Sequence, residues 1–144
     1  MKAVIQRVTR AAVKAGDLEA SIGPGMLVLV GLEAGDTEGT CAWVAAKLAS
    51  LRIFEDEAGK MNLGLREIGG EILVVSQFTL AGSIVKGRRP SFDHAMNPED
   101  ARHLFRRFLE LLQAEYPLVK SGFFQEHMTV ELVNDGPVTF VLER

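Results

Sequence analysis

The stretch from Glu71 to Leu80 constrains the fold of this chain more strongly than any other. It opens with the apolar run at 72–75, Ile-Leu-Val-Val, which is typical of a β-strand buried on both faces. The run ends abruptly in Ser76-Gln77-Phe78-Thr79, so a rigid strand delivers two hydroxyls and an amide to its end. Two interpretations are open here: a binding or catalytic site, and the ordinary solvated end of a strand that leaves the core.

Strand patterns elsewhere predict an antiparallel or mixed sheet. Lys2 to Val13 is rich in Val, Ile and Thr, and Leu18 to Ile22 follows a turn signal, as in a hairpin. Met26 to Val30 is a second fully apolar strand, and 52–54 is a short one. Near the C-terminus, the predicted strands 128–133 and 138–142 flank Asn134-Asp135-Gly136-Pro137, four residues that all favour a hairpin turn.

Two amphipathic helices are predicted between the strands. The first follows capping residues at 35–37 and ends near Leu51, because apolar residues at 41, 44, 45 and 48 recur with helical spacing. The second begins at Asn97-Pro98, and its arginines, Arg102 among them, are predicted to form a solvated face. The whole pattern predicts one α+β domain over residues 1–144, with a sheet that can curl into a small β-barrel and carries two main helices.

Composition narrows the class of protein. No apolar run approaches the roughly 18–20 residues of a membrane span, and the N-terminus turns polar too soon for a signal peptide. The single cysteine, Cys41, is read as a packing residue and suits the reducing cytoplasm. The net charge of −3 argues against general affinity for nucleic acid. However, Lys86-Gly87-Arg88-Arg89 forms a local basic cluster within a predicted exposed segment, residues 81–94, here called the basic loop.

Conventional catalytic groups are scarce in this sequence. His94, His103 and His127 lack the spacing of a metal site, and no P-loop, dinucleotide fingerprint or nucleophile elbow occurs. We therefore expect neither a metal nor another cofactor. If the chain is an enzyme, it must work without a conventional acid–base pair.

Two motifs together resemble the signature pair of the D-aminoacyl-tRNA deacylases. They are residues 76–80, Ser-Gln-Phe-Thr-Leu, and residues 134–139, Asn-Asp-Gly-Pro-Val-Thr. The likeness runs nearly the whole length of the chain and includes residues 3–8, 51–54, 60–62 and 86–92. Either motif alone is a weak signal, whereas both in this order are highly specific. The sequence departs from the family pattern at Gly82 to Val85 and at Phe124 to Met128.

The resemblance implies a homodimer of small β-barrel protomers that hydrolyses the ester of D-aminoacyl-tRNA. Glycyl-tRNA mischarged on tRNA-Ala is an implied second substrate, because glycine has no side chain by which to be refused. The bond between Gly136 and Pro137 is implied to be cis and to enter the active site of the partner subunit. There it would act as a rigid main-chain wedge that rejects L-amino acids by collision.

The resemblance also implies roles for individual residues. The main-chain N–H groups near Phe78 and Thr79 are the expected oxyanion donors, and Ser76 and Gln77 are expected to hold the terminal adenosine or the ester. The neighbouring ribose hydroxyl of the tRNA is expected to assist the attacking water. Thr79 is expected to position the substrate; the alternative, a nucleophilic Thr79, lacks a visible base.

The basic loop carries the remaining implied contacts, because Lys86, Arg88 and Arg89 are expected on acceptor-stem phosphates. A competing function is a non-catalytic dimeric tRNA-binding module that uses this loop. It would bind tRNA tightly and with strong salt dependence, but would not turn over the ester. A third possibility is a small-molecule hydrolase on the same barrel, which would cleave simple esters and ignore tRNA.

Overall fold

A curled mixed sheet carries the fold in the computed structural model, which describes residues 1–144. Its strands are β1 (Lys2–Ala15), β2 (Leu18–Ile22), β3 (Gly25–Gly31), β6 (Glu71–Ser76), β7 (Val119–Ser121) and β8 (Thr129–Glu143). Strand β1 pairs antiparallel with β2, β3 and β8, whereas β6 pairs parallel with β3 and with β7. Two short strands, β4 (Phe54–Glu55) and β5 (Met61–Leu63), form a separate antiparallel pair.

The sheet is nearly closed into a barrel, because side chains link β7 to β2. Lys120 Nζ donates a hydrogen bond to the carbonyl oxygen of Ser21 at 2.7 Å and lies 2.8 Å from Glu71 Oε1. The other carboxylate oxygen of Glu71 accepts the N–H of Gly23 at 3.0 Å. Lys120, and to a lesser extent this N–H, lower the pKa of Glu71. The predicted α+β fold with a barrel-like sheet is confirmed.

Two apolar cores lie on opposite faces of this sheet. Along β6, Ile72 and Val74 pack into the core beneath the helices, whereas Leu73 and Val75 pack into the core inside the curl. Each of the four side chains is at most 1% exposed. The two-sided burial predicted for residues 72–75 is therefore confirmed, and packing fixes the strand from both sides.

The two predicted helices are present and begin at their predicted caps. They are α1 (Glu38–Ser50) and α3 (Pro98–Glu115). Thr37 Oγ1 accepts the N–H of Thr40 at 3.3 Å, and Asn97 Oδ1 accepts the N–H of Asp100 at 3.0 Å. No helix is both long and apolar enough to cross a membrane.

One buried cysteine, one short helix and one short strand also lie in or near these segments. Cys41 is buried on α1, and burial raises the pKa of its thiol to about 11, so it packs rather than reacts. A further helix, α2 (Leu65–Ile68), is too short for its sequence to show a helical period. The short strand predicted from Arg52 begins only at Phe54.

The predicted hairpin turn at residues 134–137 is wrong. The two C-terminal strands are one strand, β8, and both of its halves pair antiparallel with β1. Between the pairs Val8–Asn134 and Gln6–Thr139, β8 advances five residues while β1 advances two. Residues 135–138, four residues opposite the single residue Arg7, form a bulge, here called the C-terminal bulge, and the chain keeps its direction. Turn propensity is local, so it cannot reveal that both flanks pair with the same strand.

The close approach of β3 to β6 yields a testable prediction. An added Cβ at Gly25 would lie 1.9 Å from the carbonyl oxygen of Glu71 on the neighbouring parallel strand. We expect Gly25→Ala to force the strands apart and to lower the free energy of unfolding by about 3 kcal/mol. Gly23→Ala is the matched control, because an added Cβ there meets nothing within 4 Å. Urea denaturation measures both variants, and equal stabilities would contradict the prediction.

Candidate active site

A cleft of about 470 Å³ opens at the end of β6, within the size range of small-ligand sites. It lies between the residues that follow β6, the start of α3 and the segment 124–130 that leads into β8. Its apolar lining consists of Leu32, Val75, Phe78, Met96, Pro98, Ala101, Phe124, Met128 and Val130. Its polar lining consists of Ser76, Gln77, Gln125, Glu126 and His127. Three of the predicted site residues, Ser76, Gln77 and Phe78, thus share one cleft.

The chain turns sharply after β6 and is held against β3. The N–H of Gln77 donates to the carbonyl oxygen of Val30 at 2.7 Å, and residues 78–81 form a 3-10 helix. Gly31 permits this contact, because an added Cβ there would lie 2.8 Å from Leu80 Cβ and 2.9 Å from the Gln77 carbonyl oxygen. The turn at residues 76–79 is therefore held by two core strands, β6 and β3.

Thr79 lies beside the cleft rather than in its lining. Gln77 Nε2 donates to Thr79 Oγ1 at 2.5 Å, and no imidazole or carboxylate contacts that hydroxyl. Phe78 and Thr79 open the 3-10 helix, so their N–H groups have no earlier turn of helix to pair with. No group of three or more His, Cys, Asp or Glu side chains is placed to hold a metal ion. The turn can hold and polarise a carbonyl group, but it offers no base to activate Thr79.

Arg102, which sequence reasoning assigned to a solvated helix face, also contacts the opposite wall of the cleft. Its side chain is exposed, as that prediction requires, but the guanidinium lies 5.0 Å from the ring centroid of Phe124 and donates to Gln125 Oε1. Gln125 has a positive φ of 64°, uncommon for a residue other than glycine. Arg102 thus clamps the segment 124–127 to α3. The contact joins distant parts of the chain, so helix periodicity gives no sign of it.

The C-terminal bulge is braced on both flanks. Asn134 Oδ1 accepts the N–H of Val138 at 2.7 Å, and Asn134 Nδ2 donates to Thr139 Oγ1 at 3.0 Å. The Gly136–Pro137 peptide bond is cis, as the resemblance implies. Both residues are exposed, and neither lines the cleft of its own chain. The two signature motifs therefore lie at separate places on one protomer.

Arg7 anchors the bulge, and sequence reasoning gave it no role. Its side chain is 4% exposed. Nε donates to the Asp135 carbonyl oxygen at 3.0 Å and lies 3.2 Å from the Asp135 carboxylate. Nη1 donates to the Ile53 carbonyl oxygen at 2.8 Å, and Nη2 lies 3.2 Å from Glu55 Oε1. Strand alternation could have revealed this role, because it places Arg7 on the same inward face of β1 as Ala3 and Ile5. A buried cation at such a position requires polar partners.

The basic loop lies outside the cleft but is connected to its edge. Ser83 and Ser91 pair through two main-chain hydrogen bonds of 2.8 and 2.9 Å. Beyond this pair, the side chains of Lys86, Arg88 and Arg89 are exposed, as predicted. At the base of the loop, the rings of Phe92 and Phe78 lie 5.1 Å apart, and Phe78 lines the cleft.

Sequence comparison relates this chain to a known family over its full length. The family model described as D-Tyr-tRNA(Tyr) deacylase matches residues 4–143. The D-aminoacyl-tRNA deacylase of Geobacter sulfurreducens is 57% identical over 144 residues, which cover 99% of this chain and 95% of that protein. The D-aminoacyl-tRNA deacylase of Pelobacter propionicus is 55% identical over 145 residues, which cover 100% of both proteins.

Two solved structures share the fold of this chain. A protein described as c-Myc DNA Unwinding Element Binding Protein has a TM-score of 0.93 at 44% identity, covering 100% of this chain and 99% of its own. A probable eukaryotic D-amino acid tRNA deacylase has a TM-score of 0.86 at 18% identity, covering 98% and 97%, a likeness that concerns the fold alone. The resemblance carried by the two motifs is confirmed: this chain belongs to the D-aminoacyl-tRNA deacylase family, whose members are hydrolases of aminoacyl-tRNA esters.

Proposed function

We propose that this chain is an editing hydrolase that cleaves the ester between a D-amino acid and its tRNA. It also cleaves glycyl-tRNA mischarged on tRNA-Ala, and it acts in the cytoplasm without a cofactor. The observation that carries this proposal is the turn at residues 76–79. It presents main-chain donors and small polar groups at a rigid strand end, beside a cleft, in a chain of this family.

Rejection of L-amino acids comes from the C-terminal bulge. A pocket that only accommodated D side chains would discriminate weakly, because small differences in shape are worth about 1–3 kcal/mol. A stiff main-chain segment placed where an L side chain must point excludes it by collision. The contacts of Arg7 and Asn134 support this role, since they brace the bulge on both flanks. Gly136 suits the position because it has no Cβ to obstruct the substrate.

The bulge acts in the cleft of a partner subunit, in a homodimer. Neither Gly136 nor Pro137 lines the cleft of its own chain, so their proposed role in a cleft requires a second protomer. Strand β8, which carries the bulge, pairs only with β1 and exposes the apolar side chains of Val133, Phe140 and Val141. An edge strand of this kind favours association with a second copy of the chain.

Catalysis rests on placement and on stabilisation of charge. An aminoacyl ester is already activated, and the neighbouring ribose hydroxyl helps to deliver the attacking water. The N–H groups near Phe78 and Thr79 stabilise the developing oxyanion, while Ser76 and Gln77 hold the terminal adenosine or the ester. The hydrogen bond from Gln77 to Thr79 supports a positioning role for the threonine hydroxyl.

The basic loop holds the acceptor stem. Lys86, Arg88 and Arg89 contact its phosphates, which fixes the register of the tRNA without reading its sequence. A second candidate function, a non-catalytic dimeric tRNA-binding module, is favoured by the exposure of these same cations. The 44%-identical relative described as a DNA-unwinding-element binding protein also makes nucleic-acid binding without hydrolysis a function to be tested.

The first prediction compares the two hands of one amino acid. D-tyrosyl-tRNA should release D-tyrosine, and L-tyrosyl-tRNA should stay intact at the same protein concentration. The release of labelled tyrosine over time measures both reactions. Equal hydrolysis of the two esters would contradict selection by handedness. Tight, salt-dependent binding of tRNA with no release of either amino acid would favour the binding module.

A second prediction concerns Gly136→Ala. The added Cβ would lie 2.7 Å from Val138 Cγ2 and 3.2 Å from Arg7 Nη2, and φ at Gly136 is +131°, so the bulge must shift. We expect most hydrolysis of D-tyrosyl-tRNA to be lost. Gly16→Ala is the matched control, because Gly16 also has a positive φ, +57°, but an added Cβ there meets nothing within 4 Å. Full activity of the Gly136 variant would count against the bulge.

Mixing two variants tests whether the bulge acts across the dimer. Ala101→Leu should fill the cleft without weakening the helix, so its homodimers should be inactive. Co-expressed with Gly136→Ala in equal amounts, it should form heterodimers with one intact cleft facing one intact bulge. About a quarter of the wild-type sites would then work. A mixture as inactive as its two components would show that cleft and bulge come from the same protomer.

Substitution of Thr79 separates the two roles weighed for this residue. Thr79→Val keeps the shape of the side chain, so loss of a positioning hydroxyl should lower kcat about tenfold. Loss of a nucleophile should lower it by about 10⁴-fold or more. Thr9→Val, on the exposed side of β1, is the control. A substrate with a 2′-deoxy terminal adenosine should react far more slowly with the wild-type protein, because the proposed help from the ribose is gone.

A further inference from the structure

We propose that Ile84 and Val85, which directly follow Ser83 in the basic loop, form an apolar contact for the unpaired 3′ end of the substrate RNA. This inference rests on the proposed function, because it assigns a further contact to the same substrate. The two residues lie in a segment where the sequence departs from the family pattern, and the phosphate contacts of the neighbouring cations leave them unused.

The exposure of these two side chains requires an explanation. Ile84 is 79% exposed and Val85 is 88% exposed, the highest values among the large apolar side chains of the chain. They adjoin each other and precede Lys86, Arg88 and Arg89 directly. Single exposed apolar residues are ordinary, but a pair in a loop beside three cations is typical of a binding surface.

The base of the loop is built rather than free. The two hydrogen bonds between Ser83 and Ser91 close it, and Ser91 Oγ donates to Asp93 Oδ2 at 2.6 Å. Gly82 lies against the ring of Phe92, where an added Cβ would be 2.8 Å from a ring carbon. Phe92 in turn packs on Phe78. The base of the loop, directly before Ile84, is thus tied through two aromatic rings to the cleft that is proposed to hold the ester.

The reach of the loop fits the unpaired part of the substrate. Ile84 and Val85 lie one and two residues beyond Ser83 of the Ser83–Ser91 pair, which is at most about 3–7 Å of extended chain. That distance spans roughly one or two stacked nucleotides. A surface that starts beside the terminal adenosine and extends this far meets the single-stranded 3′ end before it meets the duplex.

The chemistry of this pair and its neighbouring cations fits single-stranded RNA. Unpaired nucleotides expose base faces and ribose carbons that a duplex hides, and single-strand sites combine such contacts with cations for the phosphates. Aliphatic side chains take the place of aromatic ones here. An anionic lipid surface also attracts loops with apolar and basic residues. Continuity with the cleft through Phe78 and Phe92 favours the RNA, because a membrane contact would need no such link.

The test replaces both aliphatic residues, as Ile84→Ser with Val85→Ser. Two substrates are compared: D-tyrosyl-tRNA, and D-tyrosyl-adenosine, which has no upstream nucleotide. The double variant should raise KM for the tRNA about tenfold at unchanged kcat, and should leave hydrolysis of D-tyrosyl-adenosine unchanged. Leu18→Ser, at another exposed apolar residue (55%), is the control and should change neither. An unchanged KM for the tRNA would overturn the inference.

Salt dependence distinguishes the apolar contact from the neighbouring cations. Because no counterion is released by an apolar contact, the double variant should keep the wild-type slope of affinity against salt. Lys86→Gln, Arg88→Gln and Arg89→Gln together should reduce that slope. A reduced slope in the Ile84 and Val85 variant would overturn the inference, because its effect would then come from displaced cations.

Binding of uncharged tRNA keeps this test separate from the test of hydrolysis. If the wild-type protein cleaves no D-tyrosyl-tRNA, the proposed function fails, but weaker binding of uncharged tRNA by the double variant still supports the contact. Equal binding by both proteins overturns it. Flotation with phosphatidylserine vesicles tests the alternative target, an anionic lipid surface. Vesicle binding that needs Ile84 and Val85, with tRNA affinity unchanged, would overturn the inference in favour of a lipid surface.

Discussion

Burial of β6 on both of its faces is the constraint on which the rest of the structure depends. Ile72 and Val74 face one core while Leu73 and Val75 face the other, and burial of each such side chain is worth about 1.5–3 kcal/mol. A shift of the strand by one residue would exchange the two sets and disrupt both cores. The packing of β6 therefore fixes the position of the residues that follow it, independently of the contacts that those residues make. The absence of a side chain at Gly25 and Gly31 preserves this arrangement, because β6 and the turn that follows it pack closely against β3 there.

Arg7 provides a second constraint of a different kind. A buried guanidinium is costly unless its donors are satisfied, and here Asp135, Glu55 and the Ile53 carbonyl oxygen satisfy them together. The same contacts join the C-terminal bulge to β4 and to Ile53, the residue before it. A bulge braced in this way differs from a flexible loop, because displacing it would leave a buried charge without partners. Its stiffness thus follows from the electrostatics of one strand residue far away in the sequence.

Local signals in the sequence were sufficient for much of the fold and for part of the site. The run at 72–75, the caps Thr37 and Asn97 and the single-domain α+β pattern all depend on neighbouring residues. The features that these signals missed share one cause. The strand that continues through residues 134–137 and the clamp from Arg102 to Phe124 depend on contacts between distant segments, which periodicity and turn propensity do not encode. The burial of Arg7 could have been predicted from the sequence, since strand alternation directs its side chain inward.

In the function proposed for this chain, discrimination by handedness and catalysis with few groups are compatible demands. A wedge discriminates only as far as it resists displacement, so selection requires rigidity rather than additional attractive contacts to the substrate. A reaction in which the ribose hydroxyl of the substrate assists the attacking water needs accurate placement of the ester. Accurate placement also requires rigidity. Contacts far from the ester, along the basic loop, can then hold the RNA, and their binding energy serves to position the reacting bond. On this view, acids and bases are scarce beside Thr79 because the proposed reaction relies on rigidity. That rigidity comes from the two cores, from the buried Arg7 and from the bulge that contains Gly136.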